Sequence, residues 1–168
     1  MKAETFFRQY ARPEILILLF SIVVIVNFLL FPLLMPAGEG LRPLDIMFAY
    51  SPSEAYEMIA SYGEETRKNY IRGLLFIDFA YPVIYSLLLG FGIYLSWRNP
   101  RLSLQPLVIM AADYLENTGI IIMLSAWPEQ ITALAIATSI FTTLKWLMVA
   151  LSVIIIIAGF ARKLITRT

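Results

Sequence analysis

LQPLVIMAADYLENTGIIIMLSA, residues 104–126, is the stretch on which the fold turns. As a helix it is long enough to cross a bilayer, since about 20 apolar residues span about 30 Å of hydrocarbon. Yet its middle carries Asp113, Glu116 and Asn117. These stand at i, i+3 and i+4 and so share one helix face. Counted from Leu104 at about 1.5 Å per residue, Asp113 lies about 13 Å into the membrane. A charge at that depth costs about 3 kcal/mol or more, so such residues face a bundle interior and pair with one another. The stretch therefore predicts one member of a polar-cored helix bundle rather than a lone anchor.

Three more apolar runs supply the rest of that bundle: residues 14–34, 70–97 and 132–160. Open strands would leave backbone groups unpaired in lipid, so each run is read as a helix. Composition agrees. Hydrophobic residues make up 60% and charged residues 15%, against about 45–50% and 25% in globular domains. The expected fold class is all-α: an integral membrane four-helix bundle forming one transmembrane domain over residues 1–168.

Lys and Arg give the orientation. Lys2, Arg8 and Arg12 precede the first span, Arg98 and Arg101 fill the loop after the second, and Arg162, Lys163 and Arg167 follow the fourth. The positive-inside bias makes these segments cytoplasmic, in accord with an even number of spans. The other side is acidic, with Glu39, Asp45, Glu54, Glu57, Glu64, Glu65 and Glu129. Trp97 and Trp127 fall at span ends, where amphipathic rings are at home. The expectation is a multi-pass protein of a cell inner membrane or plasma membrane with both termini cytoplasmic. The first apolar run is longer than a signal-peptide core and LLMPAGEG is a poor cleavage site, so it is read as an uncleaved span.

Between the first two spans lies an outer loop, residues 36–69. Pro36, Gly38, Gly40 and Pro43 give it turn chemistry. Ser51 or Ser53 then caps a short amphipathic helix over 51–62, with Gly63 as its stop. Ala55, Met58, Ile59 and Tyr62 share one side of it. It reads as a lid over the outer mouth of the bundle, as a partner-docking helix, or as a helix resting at the interface.

The net charge of +1 gives no sign of nucleic-acid binding. With neither Cys nor His in the chain, disulfides, thiolate nucleophiles, imidazole bases and zinc sites built on those ligands are excluded. No cofactor and no metal is expected.

The chemistry is expected in the polar core. Asp78 of the second span lies about 12 Å below the outer surface, and Asn27 of the first span is at a comparable depth. Lys145 sits near the middle of the fourth. Tyr81 and Tyr85 follow Asp78 at i+3 and i+7, while Thr138 and Thr142 precede Lys145 at −7 and −3. Pro82 removes a backbone hydrogen bond and bends its helix, a break tolerated where polar groups or water satisfy the freed carbonyl. Asp78, Tyr81, Tyr85, Asp113, Glu116, Asn117, Lys145 and Asn27 are thus the candidate ligand-binding or proton site, and none is assigned a catalytic role. Lys145 is expected to pair with Asp113 or Glu116. Three acids against one base leave excess negative charge for a proton, a cation or a basic ligand to compensate.

FAYSPSEAYEMIASYGEETRKNYIRGLLFIDFAYPVIYSLLLG, followed by AADYLEN and the Lys145-Trp146 pair, resembles a group of four-span bacterial membrane proteins of unknown function. A looser, architectural resemblance is to EXPERA-type proteins, the emopamil-binding and sigma-receptor relatives, which are also small four-helix membrane proteins with a long first loop. That resemblance implies intramembrane acids that bind amines or shuttle protons in sterol isomerisation. Asp78 is similar in placement to one of those acids, whereas Asn27 stands at the matching depth of the first span.

Three function classes follow. The first is a pocket for a membrane lipid or small amphiphilic ligand, with isomerase-like acid/base chemistry as an extension. The others are a proton- or cation-coupled transporter and an interaction subunit of a membrane complex. Gly73, Gly90, Gly92 and Gly119 suit close packing within one bundle or between protomers alike, which leaves a homo-oligomer open.

Overall fold

The computed structural model describes residues 2–34 and 41–166 and is helical throughout, with no strand among them. Of the residues read above, Pro36, Gly38, Glu39, Gly40 and Arg167 lie outside the described residues. A short amphipathic helix, α1 (Lys2–Tyr10), precedes α2 (Pro13–Ile25). Arg12 is extended and Pro13 occupies the first turn of α2, where its missing N–H costs nothing. The run continues through a π-helical turn, Val26–Leu30, into α3 (Phe31–Leu34).

The segment between the first two apolar runs, read from the sequence as the outer segment, is built of more than turns. A 3₁₀ turn at Leu44–Ile46 is followed by α4 (Pro52–Ser61), whose first turn is closed by a capping box between Ser51 and Glu54. The Ser51 hydrogen bonds hold the Glu54 carboxyl below its ordinary range. Gly63, at φ +70°, turns the chain directly into α5 (Gly63–Phe76), a conformation that suits a residue without Cβ. Residues 63–69, read as loop, therefore belong to the helix that enters the second apolar run.

That run is not one straight helix. After α5 the chain breaks at residues 77–80 and resumes as α6 (Tyr81–Trp97), bent by 48°. Pro82 in the first turn of α6 is the physical cause, because it has no N–H to give to the carbonyl of Asp78 four residues earlier. Arg98 ends α6 in the left-handed region, at φ 54°. A 3₁₀ turn at Leu102–Leu104 leads into α7 (Pro106–Ala126), and α8 (Thr132–Ile165) extends past the expected end at residue 160.

Three helical stretches are long and apolar enough to cross a membrane: Pro13–Leu33, Leu102–Ala126 and Thr132–Ile165. The bent pair α5–α6 makes a fourth if it is counted as one span. The most extensive packing is α7 on α8, and α6 lies against α8, α2 and α7. Gly119 allows the closest approach of α7 to α8, since a Cβ there would collide with the Thr138 side chain.

The core has two parts. Around Tyr70, Leu74, Ile120 and Met123, the outer segment contributes Leu44, Tyr50, Tyr56, Ile59 and Tyr62, all buried. Hydroxyls anchor it: Tyr62 donates to the Arg42 carbonyl at 2.5 Å, and Tyr56 accepts from the Ile131 N–H at 2.6 Å. The second part packs Phe7 of α1 between Phe91 and Tyr94 of α6.

Candidate functional site

Three and four residues apart on α7, Asp113, Glu116 and Asn117 all turn inward, and each is at most 5% exposed. Lys145 comes to meet them from α8 and is itself 7% exposed. Its Nζ lies 3.3 Å from Asp113 Oδ1 and 2.5 Å from Glu116 Oε2. The ammonium therefore pairs with both acids rather than with one. Glu116 Oε1, the carboxylate oxygen away from this contact, has no hydrogen-bond partner among the described residues. Asp113 is held from a second side, where the Tyr85 hydroxyl donates to Oδ2 at 2.7 Å.

A fourth acid enters the cluster from the outer segment. The Asp45 backbone carbonyl accepts from Lys145 Nζ at 3.1 Å and from the Trp146 indole N–H at 3.3 Å, while its carboxylate accepts from the Tyr70 hydroxyl at 2.5 Å. Burial pushes the Asp45 carboxyl above its ordinary value, against the pull of the Lys145 ammonium and the Tyr70 hydrogen bond. Thr143 donates to the Phe48 carbonyl and the Tyr50 N–H donates to Ser139, so this segment is strapped to α8 along its length. Asp45 appeared in sequence as one of many outer acids. The available signal was its position as a lone carboxylate inside the apolar run PLDIMFAY.

Asp78 sits in the break between α5 and α6 and is 3% exposed. Its carbonyl, deprived of a helical partner by Pro82, accepts from Asn117 Nδ2 at 3.4 Å. The next carbonyl, of Phe79, accepts from the Tyr114 hydroxyl at 2.7 Å. Two α7 side chains thus replace backbone bonds that the break removes, as buried carbonyls require. Asn117 thus serves the backbone of the break through Nδ2, and its buried Oδ1 has no hydrogen-bond partner among the described residues.

Between these elements lies a cavity of about 260 Å³. Its polar part is formed by Asp45, Asp78, Asp113 and Lys145, with the Tyr81 and Tyr85 rings beside them. Val23, Phe31, Leu88, Leu89 and Val149 supply apolar walls. Asn27 reaches it from the π turn of the first apolar run and donates to the Tyr81 hydroxyl at 2.5 Å and to the Val23 carbonyl at 2.8 Å. The π turn widens the helix at that point, a feature often found at functional sites. Of the eight expected site residues, six line the cavity, while Glu116 and Asn117 stand behind it. Trp146, Phe31 and Asp45 join the lining without having been singled out as site residues. No group of three or more acidic side chains among the described residues is placed to hold a metal ion together.

No family model, curated protein or solved structure matches this chain. The chemistry of the cavity is therefore the basis for a functional reading. It offers one carboxylate, Asp113, that shares an ammonium with Glu116 and accepts from a hydroxyl, beside another, Asp78, that makes no ion pair among the described residues.

Proposed function

We propose that this chain is a four-helix membrane bundle, with α5–α6 as one bent span, that binds the polar end of a lipid or small amphiphile in its cavity. Its termini and Arg98–Arg101 face the cytoplasm, α4 lies in the first extracytoplasmic segment, and the host bilayer is a cell inner membrane or plasma membrane. The charge placement in the sequence supports that orientation.

One observation carries the reading: a single cavity changes from apolar walls to a floor of Asp45, Asp78, Asp113 and Lys145. A ligand with one apolar and one polar end matches that change. At about 260 Å³, the space falls just under the 300–1,000 Å³ or so of pockets that enclose a whole drug-sized molecule. It therefore suits a head group and its first carbons. Because Asp78 and Asp113 have different partners, they are suited to separate acid and base roles, which is the basis for isomerase-like chemistry as an extension of the reading.

A second reading, proton- or cation-coupled transport, draws on the excess of acids. Four buried carboxyls surround one ammonium, and mid-membrane acids of this kind mark ion and proton pathways.

Thermal unfolding of the purified protein in detergent, with lysolipids of equal chain length and different head groups, tests the binding. A stabilisation that depends on the head group and disappears in Asp78→Asn is expected. Equal stabilisation by every head group, or a response untouched by the substitution, would overturn it. Proton or cation flux into proteoliposomes that is lost in Asp78→Asn would instead establish the transport reading.

A further inference from the structure

The face of α6 turned away from the acid cluster borders a second, larger cavity. Tyr81, Tyr85, Leu88 and Leu89 line the first cavity, whereas Val83, Ser86, Leu87 and Gly90 line this one, of about 560 Å³. Its other walls come from α1, through Lys2, Phe6 and Phe7, and from the start of α7, through Leu107 and Met110. Gly90 brings the backbones close here, since the Ser103 carbonyl stands 2.9 Å from the place a Cβ would occupy.

Three polar residues break this apolar lining, and the hydroxyl of one, Ser103, is already given to the Asn99 carbonyl, which leaves two polar groups to account for. Ser86 is 5% exposed, and its hydroxyl has no hydrogen-bond partner among the described residues. Other helical hydroxyls in the chain, those of Ser21, Thr118 and Thr142, return to the carbonyl four residues back. A buried hydroxyl left without such a bond calls for a partner. Lys2, exposed on α1, is the second. The segments that meet here also carry Arg8, Arg12, Arg98 and Arg101, against Glu4 and Glu14, so this end of the molecule is basic. The helix α1 that borders the cavity is amphipathic and sets Phe6 and Phe7 against Phe91 and Tyr94 of α6, the pattern of a helix lying in a membrane interface.

We propose that this cavity seats one anionic phospholipid, with an acyl chain along the apolar wall, an ester oxygen on the Ser86 hydroxyl and the phosphate at Lys2. The apolar wall excludes a wholly hydrophilic anion, and Lys2 at the rim, on a basic end of the molecule, disfavours a zwitterionic head group relative to an anionic one. The inference is independent of the ligand of the first cavity, with which it shares no lining residue.

Native mass spectrometry of the intact chain in detergent, titrated with phosphatidylglycerol or phosphatidylcholine of identical acyl chains, tests it. One phosphatidylglycerol per chain is expected to bind in preference to phosphatidylcholine. Lys2→Gln should weaken that binding about fivefold, the factor equivalent to about 1 kcal/mol for one basic residue at an anionic surface. Ser86→Ala should weaken both lipids, and Leu107→Trp, which fills the half-exposed mouth, should abolish both. Lys2 lies on the exposed rim, so its substitution reports on the site even if a core variant fails to fold. Equal affinity for the two lipids, unchanged affinity in Lys2→Gln, or a second copy of the chain in place of lipid would overturn the proposal.

Discussion

Lys145 is the residue around which the site is arranged, because it holds two acids of α7 and the outer segment at once. Buried pairs add little net stability when compared with apolar packing, but breaking one strands a charge. Lys145→Met should therefore cost about 3–5 kcal/mol. Combining it with Asp113→Asn, or with Glu116→Gln, should recover about 1 kcal/mol or more of that loss in each case. Thermal unfolding in detergent of the singles and both doubles measures the two couplings. Strict additivity in both cycles would dismiss the shared pairing. Sequence spacing made the one-turn proximity of Asp113 and Glu116 legible, since the helical period places them on the same face. It could not show that one ammonium serves both, because that depends on the rotation of α8 against α7.

At the scale of elements, the broken second apolar run and the polar face of α7 depend on one another. Pro82 withholds the N–H that would have satisfied the Asp78 carbonyl, and Asn117 supplies the replacement from α7. Asn117→Leu should leave that carbonyl bare and cost about 1–3 kcal/mol. In a Pro82→Ala background the backbone N–H is restored, so the same substitution should cost less than about 1 kcal/mol there. Equal losses in the two backgrounds, followed by thermal unfolding in detergent, would show that Asn117 does not serve the break. Proline inside an apolar run announced the bend. The partner of the freed carbonyl was not legible, because Asn117 is 39 residues away in the sequence.

For the whole molecule, the proposed orientation has a direct test, since the chain contains no cysteine. Single cysteines at Glu57 or Glu64, exposed positions of the outer segment, should react in intact cells with a reagent that cannot cross membranes. A cysteine at Arg101 should react only after the cells are opened. Labelling at Arg101 in intact cells would reverse the topology. The same orientation puts Lys2 and its cavity at the cytoplasmic leaflet, where anionic lipids supply the attraction to basic residues.

The sequence by itself determined the helical class, the apolar stretches and the clustering of polar residues within them. Lipid penalises unpaired backbone groups and isolated charges so strongly that hydropathy and a 3.6-residue period carry most of that information. Only the tertiary structure decided which of those residues share a cavity. It brought Asp45 to Lys145 across 100 residues of sequence, set Glu116 and Asn117 behind the cavity, and folded the outer segment into the core. The physical reason is that these contacts depend on the bend at Pro82, the π turn at Asn27 and the close approach at Gly119. Each of these re-aims a whole helix, and a local pattern of apolar and polar residues is nearly unchanged by such a rotation.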